Sequence, residues 1–321
     1  MPSSPSPAPA AAAAPASATV AGPPPHSPTP LAAWLLLIVL ACIWGTSFIL
    51  MKKGLVVFSA MELGATRVTV ASLLLLPFAL RHVRQVERSR YKWLLLSGVV
   101  GTFVPAFLFA YAETKLASGL AGVLNALTVA FTLLVGVFFG QRITWLRAVG
   151  IAAGLLGTIV LMGLGGSGGD ATPAGEGNAW YGLYIVLATL GYGVSINIIK
   201  HRFHGMTSMA VTSLLLMLIG GPALLYLLLG TDFVHKLQHT PGAWTAFGYI
   251  ALLATMSTAV AMVLFNKLIK QSTALFASSN TYLVPIVALG WGLLDGEVIN
   301  GWHLLGMVII LLSVFIINRA K

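Results

Sequence analysis

The chain has 321 residues, 58% of them hydrophobic and only 8% charged, with a formal net charge of +10 and a single cysteine. Ordinary soluble domains carry roughly 25% charged residues, so a water-soluble fold is excluded: so few charges could not cover its surface. The lone Cys42 sits inside an apolar run, which excludes an internal disulfide and a thiolate metal cluster.

Residues 1–30 contain ten prolines and no Lys, Arg, Asp or Glu. Such a segment neither continues a helix nor builds a core, so it reads as a disordered tail. It lacks the basic start and apolar middle of a secretory signal, so the first membrane helix is expected to act as its own insertion signal. Beyond it, apolar runs of about 20 residues recur, each long enough to cross a hydrocarbon core of roughly 30 Å. The spans read as 32–51, 58–80, 93–112, 117–138, 143–163, 179–199, 207–229, 243–265, 273–294 and 300–318. Continuous runs of this length do not fit the alternating pattern of a membrane barrel. The expectation is an all-α integral membrane protein with ten transmembrane helices.

Between the fifth and sixth spans lies a glycine-rich stretch, 164–178, which reads as a flexible linker. It divides the membrane region into residues 31–163 and 179–321, five crossings each. Of the 18 Lys and Arg residues, thirteen fall on one side if the N-terminus is cytoplasmic, four on the other, and Arg67 inside a span. That bias is the positive-inside pattern, so the basic excess sets orientation and does not imply a nucleic-acid partner. Both termini are expected in the cytoplasm.

The two halves resemble each other. A shift of 156 residues brings Gly140, Gln141 and Gly150 onto Gly296, Glu297 and Gly306; a shift of 148 brings Trp44, Gly45, Ser47 and Lys52 onto Tyr192, Gly193, Ser195 and Lys200. Because five is odd, the second copy runs through the membrane upside down. Inverted repeats of this kind underlie alternating access, with a site near mid-membrane where the halves meet.

The ordered set "IWGTSF", "GATRVTVASLLLL", "LASGLAGVLNALTVAFTLLVG" and "TALFASSNTYLVPIVALGWGLLDGE" resembles the drug/metabolite transporter superfamily and its EamA subgroup over residues 32–318. This resemblance implies a bacterial inner-membrane carrier, often an exporter of amino acids or related metabolites. Two positions depart from the pattern: Val129 stands where Pro285 stands in the second copy, and Gln141 stands where Glu297 stands. They argue against a symmetric pair of gates.

Arg67 lies about 13 Å from the outer end of its span, near the bilayer centre. A cation facing lipid there costs at least about 3 kcal/mol, so it is expected to point into the bundle. Two roles fit: a structural cation bonded to backbone carbonyls, or a guanidinium fork for a substrate carboxylate. Other candidates for substrate binding are Trp44, Ser47, Asn125, Thr128, Tyr192, Asn197, Ser278, Thr281 and Tyr282, with Pro105 and Pro285 as hinge or gating positions. Small polar stripes also serve as helix-packing seams, and Trp and Tyr also sit at bilayer interfaces.

All acids except Glu87 fall at or near the outer side, none at mid-membrane. Transport is therefore expected to be uncoupled or exchanging, or to use the outer carboxylates as a proton relay. The pairs His201 with His204 and His235 with His239 lack a third ligand, so no metal site is expected. No cofactor motif is present either. The alternative class is a membrane-embedded enzyme, lipid-handling protein or assembly or sensor subunit, but the chain contains no HExxH and no Walker loop. A small molecule, possibly bearing a carboxylate, and the lipid bilayer are the expected partners.

Overall fold

The computed structural model describes residues 31–164, 180–203, 205–271, 276 and 280–319. The tail, nearly all of the linker, His204 and Ser278 lie outside the described residues. Ten helices follow in order: α1 Leu31–Gly54, α2 Ala60–His82, α3 Arg88–Glu113, α4 Ser118–Phe139, α5 Trp145–Met162, α6 Trp180–Arg202, α7 Ser208–Leu229, α8 Ala243–Phe265, α9 Asn280–Leu294 and α10 Gly301–Arg319. Among the described residues nine are long and apolar enough to cross a membrane, and the described part of α9 is shorter, at 15 residues. Sequence and structure agree because in lipid every backbone polar group must be satisfied within its own segment, which makes each apolar run a helix. Large apolar side chains such as Leu35, Ile38, Leu73, Leu156, Ile159 and Leu312 line the outside of the bundle, as lipid contact requires.

One element was not expected. Between α7 and α8 a short helix, Phe233–His239, packs Phe233 against Phe58 and Phe247, with ring centroids 5.2 and 6.0 Å apart. His235 and His239 stack on it at 4.5 Å.

The repeat is visible in the packing. α1 lies against α9 and α6 against α4, while α2 packs on α7 and α5 on α10. At the first contact a Cβ on Gly45 would stand 2.5 Å from Val287; at the second, a Cβ on Gly193 would stand 2.8 Å from the carbonyl carbon of Phe131. Gly193 is Gly45 shifted by 148, and Val287 is Phe131 shifted by 156, so the same close approach is built twice. Only glycine permits it, because small residues let two backbones meet without a strong hydrophobic force between helices in lipid.

Two irregularities recur at the same register. α3 contains a π-helical turn at Val99–Phe103 and α8 another at Thr255–Val260, with starts 156 residues apart. α4 and α9 each end on a left-handed glycine, Gly140 at φ 82° and Gly296 at φ 79°. In each the next residue folds back, Gln141 N–H to the Gly136 carbonyl at 3.0 Å and Glu297 N–H to the Gly292 carbonyl at 2.9 Å. These helix stops need glycine for its positive φ. α4 also tightens in the middle, at Asn125–Thr128, although it lacks the proline of α9. There the Thr128 hydroxyl donates to the Asn125 carbonyl at 2.8 Å, and the Leu127 N–H reaches back only three residues, to Leu124.

Candidate substrate cavity

Two adjacent lobes, about 710 and 640 Å³, share the walls Trp44, Arg67, Tyr192, Ile196, Ser257 and Phe265. α1 supplies the indole, α2 the cation and α6 the phenol. The π-turn of α8 supplies a carbonyl freed from its helix, and the Trp44 Nε1–H donates to it, at Ser257, at 3.1 Å. Trp44 also lies 5.5 Å from Phe265, centroid to centroid. The first lobe runs between α4 and α9 and reaches Arg147 and Asn318; the second runs between α2, α3, α6 and α7 and reaches Lys200 and Ser208. Both therefore extend to the end of the bundle that carries the basic residues.

Of the residues singled out from the sequence, Trp44, Ser47, Arg67, Asn125, Thr128, Tyr192, Thr281 and Pro285 line this cavity. Three do not. Asn197 is fully buried and ties α6 to α4: its Nδ2 donates to the carbonyls of Thr132 and Gly193, both at 2.8 Å, and its Oδ1 accepts from Gln141 Nε2 at 3.2 Å. An amide in a span satisfies a packing seam as readily as a ligand, so the sequence could not separate the two. Tyr282 stands behind the wall, accepting from Asn318 Nδ2 at 2.9 Å. Pro105 is buried just after the π-turn of α3 and lines neither lobe. Arg147 was missed: it counted toward the orientation bias, yet it lines the first lobe, and its Nε is buried with no partner among the described residues.

Arg67 has no hydrogen-bond or ion-pair partner among the described residues. Glu62, on its own helix, is engaged elsewhere, accepting from Ser59 N–H at 2.7 Å in a capping box and from Lys236 Nζ at 2.7 Å. The bond to backbone carbonyls that a purely structural arginine would make is absent among the described residues. The charges on the cavity wall are Arg67, Arg147 and Lys200; no described acid lines either lobe. No three His, Cys, Asp or Glu side chains gather to hold a metal among the described residues.

The opposite end is closed. Glu297, its side chain 5% exposed, accepts from Ser118 N–H and Oγ, both at 2.8 Å, and from Gly119 N–H at 3.0 Å, capping the start of α4. It also pairs with Lys52 at 2.8 Å, and Asp295 pairs with Lys52 and Lys53. Burial pushes the Glu297 carboxyl up, but the Lys52 ammonium and the Gly119 and Ser118 donors outweigh it and hold it below the ordinary value. Hydrogen bonds from Lys52 and Lys53 hold Asp295 below it as well. A carboxylate on a helix N-terminus with an ammonium beside it is favoured by both dipole and charge.

The chain resembles known proteins along most of its length. The model of the EamA-like transporter family matches residues 31–163 and again 179–319. The chain is 28% identical to the uncharacterized inner membrane transporter YedA of Escherichia coli (strain K12), over 89% of this chain and 90% of that one. It is 27% identical to a probable terminal-alkyne amino-acid exporter of Streptantibioticus cattleyicolor, covering 90% and 93%. It is 25% identical to a probable amino-acid metabolite efflux pump of Salmonella typhimurium, covering 88% and 93%. One solved crystal structure superposes with a TM-score of 0.58 at 16% identity, over 89% of this chain and 96% of the other, a likeness of fold alone.

Proposed function

The chain belongs to the EamA-like transporter family, and from that premise we propose that it is a secondary carrier that exports small carboxylate-bearing metabolites across the bacterial inner membrane by alternating access. The observation that carries the substrate class is the unpartnered Arg67 on the wall shared by both lobes. A guanidinium held in an apolar pocket is stabilised by a planar anion that takes two of its N–H groups at once. Trp44, Tyr192 and Phe265 give the rest of the molecule an apolar bed, and Asn125, Thr128 and Thr281 offer neutral donors and acceptors. The names of two relatives, an amino-acid exporter and an amino-acid metabolite efflux pump, point to the same chemistry.

The basic end is the cytoplasmic face by the positive-inside bias, which puts both termini inside. The cavity then opens inward and the Lys52–Glu297 closure seals the outer face, the inward-open state of the cycle. Site residues at the seam of two inverted copies are what alternation needs, since a rocking of one copy against the other exposes the same wall to each side in turn.

The test is counterflow in proteoliposomes with a panel of carboxylates and their methyl esters. Arg67→Ala is expected to lower uptake of the carboxylates at least tenfold, with Arg67→Lys only partly restoring it and the slow flux of esters unchanged. Equal carboxylate flux in wild type and Arg67→Ala would overturn the assignment of Arg67, and no flux of any solute in the wild type would overturn the carrier itself.

A further inference from the structure

One ionisable group is used by neither the cavity nor the closure. Glu113 is the last residue of α3, 5% exposed, and both carboxyl oxygens are buried with no hydrogen-bond partner among the described residues. It lines neither lobe. The charges that face it are Lys52 on α1, Arg67 on α2 and Glu297 beyond α9. α6 brings only phenols over its outer part, Tyr181, Tyr184 and Tyr192, and the neighbouring first half of α4 brings no ionisable side chain. The two cations nearby are not bonded to it: Lys52 is taken by Asp295 and Glu297, and Arg67 faces the cavity.

Most local features oppose a bare carboxylate there, and only the charges of Arg67 and Lys52, neither bonded to it, favour it. The group sits at a helix C-terminus, the negative end of the dipole. No donor reaches it, a second carboxylate faces it, and burying an unpaired anion in a low-dielectric interior costs far more than adding a proton. Glu62 and Glu297, at the same end of the molecule, are each held by a lysine and backbone N–H groups, so the difference lies in the site and not in the residue type.

We infer that Glu113 is a proton-binding site that fills when the outer end closes over it and empties outward when that end opens. The inference rests on the carrier reading, since it needs two states of the outer end. In the closed state the proton stays on the carboxyl. When the Lys52–Glu297 closure parts, water reaches the site, the O–H bond breaks, the proton leaves to water on the outer face, and the carboxylate is left opposite Arg67 and Lys52. Closure therefore takes up one proton, and acidification of the outer side favours it by up to tenfold per pH unit.

The experiment uses the full chain with Cys42→Ser and nitroxides at positions 56 and 298, both exposed at the outer end. The closed fraction is read from the distance distribution between pH 8 and pH 5. Wild type is expected to close progressively as pH falls; Glu113→Gln, a neutral isostere, is expected to stay closed with no pH dependence over that range. A wild-type slope retained in Glu113→Gln, or no slope in wild type, overturns the inference. If the variant does not fold, infrared spectroscopy of the wild type at neutral pH decides: the C=O stretch of a protonated carboxylic acid supports the site, and its absence overturns it. Neither readout needs substrate, so a failure here is distinct from a failure of the carrier reading.

Discussion

The two ends of the bundle are built on one backbone plan and closed by different chemistry. At the end that the proposed orientation makes outer, Gly292, Gly296 and Glu297 form a helix stop whose side chain crosses to the start of α4 and meets Lys52. At the inner end, Gly136, Gly140 and Gln141 form the same stop, with the same fold-back hydrogen bond and nearly the same φ. There the side chain is an amide, turned to Asn197, and Lys200, the counterpart of Lys52, is exposed at the cavity mouth. One carboxylate replaced by an amide separates a closure held by charge from a helix stop whose side chain makes a neutral hydrogen bond. The state of the molecule follows the difference: the end latched by that carboxylate is shut and the end with the amide is open.

The largest effect is expected from Glu297→Gln. Removing one partner of a buried ion pair costs about 3–5 kcal/mol. Here Lys52 is about one third exposed and keeps Asp295, so about 2–3 kcal/mol is expected, a roughly 30- to 150-fold gain of the outward-open state. Thiol accessibility of a cysteine placed at Gly119, beneath the Glu297 carboxylate, reads it directly. No change in labelling would mean that the closure does not depend on charge.

The converse substitution should be milder. In Gln141→Glu a carboxylate would face Asn197 Oδ1, which is fixed by the two bonds its Nδ2 donates; the inward-open state loses a hydrogen bond, and Lys200 gains a potential partner. About 1 kcal/mol against the inward-open state is expected, read as a five- to tenfold fall in labelling at the cavity mouth. Equal labelling would separate the two ends on grounds other than the residue at the helix stop.

The smallest effect concerns pH and sharpens the same contrast. Glu297 is held below the ordinary carboxyl value of about 4.3, so its ionised form stabilises closure. That contribution is complete above about pH 4.3 and fades as the outer pH falls through the lower value it has when latched. In Glu113→Gln the outer end is thus expected to stay closed from pH 8 to about pH 4.5 and to open only below that. Opening already at pH 6 would assign the acid sensitivity to another group.

Much of this was legible in the chain itself. Spans follow from apolar length, because lipid leaves the backbone no alternative, and the 156-residue register follows from Gly140 and Gly296, whose positive φ no other residue adopts cheaply. Arg67 was readable because a cation at mid-span has few places to point. Asn197 was not, since a buried amide obeys the same rule whether it binds a ligand or a carbonyl. Arg147 was hidden by the orientation bias, which gives every basic residue near that face a sufficient reason to be there. Glu113 read as one more acid near the surface, because burial at a helix end depends on what the second copy lays over it. The tightening of α4 without proline was also invisible: it depends on a threonine hydroxyl three residues after the carbonyl it takes.

The π-turns of α3 and α8 have a mechanical consequence. A wide turn holds one residue more than the helix around it needs. Moving that surplus along by one position rotates the residue it passes by about 100°, one residue's share of a 3.6-residue turn, and leaves the helix on either side in place. Thr102 and Thr258, both on the cavity wall, sit on these stretches in the two copies. Each rod thus carries its own swivel, able to re-aim wall groups without breaking in the middle. In α8 the swivel is pinned by the Trp44 indole on the Ser257 carbonyl, so whatever displaces that ring frees the rotation.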